Sequence, residues 1–317
     1  MWRRSVLLSV PWGSWLGLAR SLLAVGTICA IAFTDVDALF APVLGRGDAP
    51  YCQGPTSIGL FCLVDRDQLE IVRWVCVAVL VIVAGGWRPR LTAIPHWWVS
   101  FSVSTGLPIP DGGEHVNQVL TLLLVPVLLA DSRRWHWRRP SPTTRFPVLG
   151  VAVAAVVLVV IRVQVAGIYF QSSVAKLSHA EWADGTGMYY WFNHQSFGVP
   201  PWMRPLADWM VDQPVLLAGL TWTPLAIEFA LAISILLRPA YRWFLLPAGV
   251  ALHLCIAMTM GLWSFAVTMM GAIVLLLVPP GTHLRDTRDT VAAFVAARRG
   301  PRRRTVEDAR SAEKALV

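Results

Sequence analysis

Long apolar runs separated by short charged connections constrain this chain more than any other feature. They occupy residues 15–33, 74–86, 91–107, 116–130, 146–168, 215–237, 243–260 and 262–278. A helix needs ~20 apolar residues to cross a bilayer, and most of these runs approach that length. Composition agrees. The chain is 56% hydrophobic with a mean hydropathy of +0.56 and only 15% charged residues, against about one quarter charged in a soluble domain. Its sixteen Trp suit a protein with interfacial aromatic belts. The reading is an all-α polytopic membrane protein of about eight transmembrane helices.

The connections set the expected topology. Arg3 and Arg4, Arg88 and Arg90, the group Arg133, Arg134, Arg138, Arg139 and Arg145, and the pair Arg238 and Arg242 all fall between alternate runs. The positive-inside rule places them in the cytoplasm, so both termini are expected there. The first run resembles a signal peptide but is long and lacks a clean small-residue cleavage site, so it reads as a retained helix. Residues 1–280 form the membrane domain. Residues 281–317 form a basic cytoplasmic tail whose cluster Arg298, Arg299, Arg302, Arg303 and Arg304 suits anionic lipid rather than nucleic acid. The connection 34–73 is acidic, with Asp35, Asp37, Asp65, Asp67 and Glu70, and holds Cys52 and Cys62. Outside the cell these two would form a disulfide; two unpaired thiols are the other reading. Cys29, Cys76 and Cys255 lie inside apolar runs and read as small hydrophobes.

Residues 169–192 break the apolar pattern with a lysine, a histidine, two acids, two glycines and several aromatic rings. If the preceding helix continues through them, Arg162, Ala166, Tyr169, Ser173 and Lys176 form one stripe. Ionisable groups near lipid usually face a bundle interior or a watery cavity. Arg162 and Lys176 are therefore site candidates, or else they snorkel to headgroups. A second outer segment supplies Asp111, Glu114 and His115, and the first adds His179, Glu181 and Asp184. A lysine partly withdrawn from water yields its proton more readily and serves as a base; a nearby His and carboxylate orient it or relay the proton. No pair of histidines has compact zinc-site spacing, so no metal is assigned. Trp182, Gly185, Gly187 and the rings of residues 189–192 read as an interfacial amphipathic segment or the wall of a lipid or quinone pocket. Glu228 and His253, mid-run on different helices, are expected to pair with each other or with Arg20 as packing.

Tyr169-Phe170, Ala175-Lys176-Leu177, Trp182, Gly185 and the aromatics of 188–192 resemble the HTTM membrane domain shared with vitamin K-dependent gamma-carboxylase. The similarity runs from residue 16 to about residue 278. Within that class the chain looks most like SdpB-type proteins of bacterial peptide-toxin systems, on the outer cysteine pair and the segment HVNQVLTLLLVPVLLAD followed by RRWHW. The resemblance implies an HTTM-like bundle in the bacterial inner membrane. It implies a role in maturation or export of a secreted peptide toxin, with a protoxin and an SdpA-like protein as partners. It also implies that Lys176 matches the carboxylase base and that His115 is the nearest match to the carboxylase histidine, in Glu-His-Val-Asn order. Two alternatives follow: a quinone-linked oxygenase or carboxylase-like enzyme using Lys176 as base, and a transporter or immunity protein.

Overall fold

Helices occupy every one of the apolar runs in the computed structural model, which describes residues 10–43, 45, 49–108, 111–140, 147–287 and 289. The long helices are α1 (Ser14–Ala32), α2 (Leu69–Gly85), α3 (Pro89–Gly106), α4 (Gly112–Leu129), α5 (Val148–Leu177), α6 (Pro214–Ile233), α7 (Pro239–Met260) and α8 (Trp263–Leu277). Six helices are long and apolar enough to cross a membrane: α1, α2 with its preceding turn, α4, α5, α6 with its following turn, and α7. The other two differ for physical reasons. α3 carries Arg90, His96 and a row of serines, and α8 has only 15 residues. The expected count of about eight therefore rests on six candidate spans. Residues Met1–His283 form one unit and Leu284–Val317 another, in which a short turn at Leu284–Asp286 is described. Arg3, Arg4, Arg145 and the arginine cluster of the tail lie outside the described residues.

The helix ends follow local chemistry. Pro89, Pro214 and Pro239 open α3, α6 and α7, where a missing N–H is harmless and φ is already helical. Asp111 caps α4 by accepting from the Gly113 N–H at 2.7 Å and the Glu114 N–H at 3.3 Å. Gly86 and Gly261 end α2 and α7 in the left-handed conformation.

Consecutive helices alternate in direction, so the bundle has two ends. At one, the loop after α4 docks on the turn before α3: the Arg88 N–H donates to the Arg134 carbonyl at 2.8 Å and the His136 N–H to the Gly86 carbonyl at 3.0 Å. At the other lie the described residues of 34–68, where Cys52 and Cys62 form a disulfide with Cα atoms 5.5 Å apart. That segment folds over α3 through the Trp98 indole, which donates to the Ile58 carbonyl at 2.8 Å, and through the Leu60 N–H, which donates to Ser102 Oγ at 2.9 Å. Inside the bundle small residues let backbones approach. A Cβ on Gly26 of α1 would stand 2.1 Å from Thr268 Oγ1 of α8, so the α1–α8 crossing depends on that glycine.

Candidate functional site: the Lys176 end of the bundle

α5 has 30 residues and so runs about 45 Å, longer than a ~30 Å hydrocarbon core. Its inward stripe is the one the spacing predicts, since Ala166, Tyr169 and Ser173 are all buried. Helical side chains lean toward the N-terminus, so Lys176 reaches back along its own helix. Its Nζ donates to Ser172 Oγ at 3.0 Å and forms an ion pair with Glu228 of α6. Ser172 in turn donates to the other Glu228 oxygen at 3.1 Å. The three groups thus close a ring of hydrogen bonds. The Glu228 side chain is 7% exposed and that of Lys176 is 26% exposed. An ion pair so placed is weakly screened, and removing one partner strands the other charge in an apolar surround.

The connection after α5 covers this pair. The Trp182 ring lies 5.4 Å from Lys176 Nζ, a cation–π contact. Trp182 is held in turn from α6, whose Trp222 indole donates to the Trp182 carbonyl at 3.1 Å. Gly185 makes the turn that lets the chain double back. Its φ is +86°, and a Cβ there would meet Ala218 at 3.1 Å and Trp222 at 3.2 Å, so both conformation and space exclude a side chain. The Met188 N–H then donates to Thr221 Oγ1 at 3.2 Å. Two turns below Lys176, the hydroxyl of fully buried Tyr169 is 2.8 Å from Nε2 of His253 on α7. His253 Nδ1 is buried with no hydrogen-bond partner, and Phe265 of α8 meets the same ring at 5.6 Å.

The other candidates fall in three places. Arg162 lies 14 residues before Lys176, or about 21 Å along the axis, and donates to the Leu275 and Val278 carbonyls at the end of α8. Glu114 and His115 begin α4, where His115 Nδ1 is 2.8 Å from Ser104 Oγ of α3. His179 is exposed at the start of the turn Ala180–Ala183. Among the described residues no hydrogen bond, ion pair or ring contact joins His115 to Lys176. The expected pairing of Glu228, His253 and Arg20 among themselves is overturned. Glu228 takes Lys176, His253 takes Tyr169, and buried Arg20 donates to Thr92 Oγ1 at 2.7 Å. The sequence reading assigned Glu228 and His253 to packing and did not single out Ser172. The one signal for Glu228 was its charge in an apolar helix, which demands a partner without saying which.

A cavity of about 790 Å³ opens elsewhere at the same end of the bundle, lined by residues of α1, the segment that follows it, the α3–α4 turn with the start of α4, and the α7–α8 turn. None of Lys176, Ser172, Glu228, Trp182, Tyr169 or His253 lines it.

Comparison with known proteins finds two relatives in Bacillus subtilis (strain 168). The chain is 37% identical over 281 residues to the uncharacterized protein YitO, covering 87% of this chain and 89% of that one. It is 31% identical over 272 residues to the sporulation-delaying protein SdpB, covering 85% of this chain and 82% of that one. No protein-family model matches the chain, and no solved structure does.

Proposed function

The chain belongs to the SdpB family, and from that premise we propose that it serves a sporulation-delaying-protein-like system as a membrane factor for maturation or export of a secreted peptide toxin. Its working site is the Lys176–Glu228 pair under Trp182. In this reading the membrane domain is HTTM-like, and α3 and α8 complete eight spans. The chain lies in the bacterial inner membrane with both termini in the cytoplasm. The end bearing Cys52–Cys62 and Lys176 faces outward, where an oxidising compartment supports the disulfide. The protoxin and an SdpA-like protein are its partners, and exposed Trp202, Leu206 and Trp209 rest on lipid.

The observation that carries the reading is a partly exposed cation opposite a buried carboxylate at a bundle end. Such a pair can take a further partner: a peptide carbonyl or carboxylate reaching the exposed side of Lys176 adds to the ammonium while Glu228 keeps Lys176 and the Ser172 hydroxyl. The carboxylase-like alternative draws on the same geometry, with Lys176 as the base and Glu228 as the carboxylate that orients it. Quinone copurifying with the protein in near-stoichiometric amount favours that alternative.

Deletion of the gene in its own producing strain tests the main reading. The proposal expects mature toxin to vanish from the medium while the producer survives exposure to added toxin. Normal toxin with loss of producer survival would instead assign an immunity role.

A further inference from the structure

The cavity of about 790 Å³ noted above falls within the ~300–1,000 Å³ of ligand sites. Its walls are largely apolar, among them Phe33, Leu39, Leu107 and Trp263, and no lysine, arginine or histidine is among the described residues that line it. Two carboxylates do. Asp111 is committed: one oxygen caps α4 and the other accepts from Ser264 Oγ at 2.7 Å. Glu114 is not. It is only 6% exposed, and its Oε2 is buried with no hydrogen-bond partner.

A buried carboxyl oxygen without a partner carries a desolvation penalty that a donor from outside would relieve. A bare metal ion fits badly. Calcium asks for six to eight oxygens, while two carboxylates, one of them already engaged, stand among apolar walls. The missing group is a donor, cationic because two acidic side chains stand without a counter-charge among the described lining residues, on a body that is apolar because most of the wall is.

We propose that this cavity binds an alkylammonium group, a primary amine carried on an apolar body, with Glu114 as its partner. The site is separate from the Lys176 pair and does not depend on the toxin reading. Cys29, a free cysteine on the cavity wall, supplies the readout. The full chain is purified with Cys76→Ala and Cys255→Ala, leaving Cys29 as the reactive thiol, and its labelling by N-ethylmaleimide is timed at neutral pH with octylamine or octanol present. Octylamine is expected to slow labelling about tenfold more than octanol, the scale of one charge-assisted hydrogen bond. Glu114→Gln is expected to erase that difference. Equal protection by the two compounds, or none by either, overturns the proposal, and this comparison stands even if the Glu114 variant does not fold. Nanodiscs identify the source. Protection by phosphatidylethanolamine but not phosphatidylglycerol makes the amine a lipid headgroup. Protection by octylamine without a phosphatidylethanolamine effect makes it a soluble or peptide amine.

Discussion

Lys176 and Glu228 show what a residue's spacing can and cannot announce. Helical periodicity put Lys176 on the same stripe as Tyr169 and Ser173, and that stripe faces inward. The partner was not legible, because Glu228 is 52 residues away on another helix and charge attraction leaves no spacing in the sequence. Several buried candidates competed for it, and the choice among His253, Arg20 and Lys176 is made by how α5 and α6 lie against each other. The pair has a measurable consequence. Lys176→Met and Glu228→Gln each leave the other group without its counter-charge, so each is expected to lower stability, Lys176→Met by roughly 3 kcal/mol. The double variant is expected to recover part of the loss, with a coupling of about 1–3 kcal/mol. Thermal unfolding of the four proteins in one detergent checks this; additive losses would mean that the two side chains do not act together.

At the scale of helices and their ends, several arginines do more than mark sidedness. Arg73 donates to the Ile31 carbonyl at 2.8 Å and the Thr34 carbonyl at 2.9 Å, closing α1. Arg162 does the same for α8 and Arg242 for the end of α6, at the Ile235 and Leu237 carbonyls. These are the orphan carbonyls where a cation also meets the negative end of a helix dipole. From sequence alone Arg162 was part of the Lys176 stripe, because a stripe has no length scale until the helix has neighbours. The loop after α4 is anchored by His136, which is buried against Gly17 and Gly86, with Nε2 3.3 Å from Ser21 Oγ. Burial, and then the charges of Arg20 and Arg133, lower its pKa to about 3. The folded protein therefore keeps His136 neutral while the unfolded chain protonates below its ordinary value near 6.5. The stability this contributes is complete above about pH 6.5 and is lost as pH falls toward 3, amounting to roughly 2 kcal/mol between pH 6.5 and 5. Unfolding midpoints across that range, compared with those of His136→Gln, report the term; equal slopes in both proteins would contradict it.

For the molecule as a whole, apolar run length was enough to place every long helix. It was not enough to count crossings, because α3 trades apolar residues for serines that hydrogen-bond to its neighbours, as Ser104 does with His115 and Ser102 with Leu60. The alternation of helix direction puts the disulfide and Lys176 at one end and the arginine-rich connections at the other. Cysteines introduced at exposed Ser57 and Ser132 are expected to divide accordingly, with Ser57→Cys labelled by an impermeant maleimide on intact cells and Ser132→Cys only after lysis; the opposite pattern would invert the orientation. The account turns on Lys176 being a working residue, and the most direct measurement is secreted mature toxin from a producing strain carrying Lys176→Ala, at membrane levels matched to the wild type. The account predicts that toxin disappears while the protein accumulates. Normal toxin output from a stably inserted variant would contradict it, leaving Lys176 as a structural partner of Glu228 and nothing more.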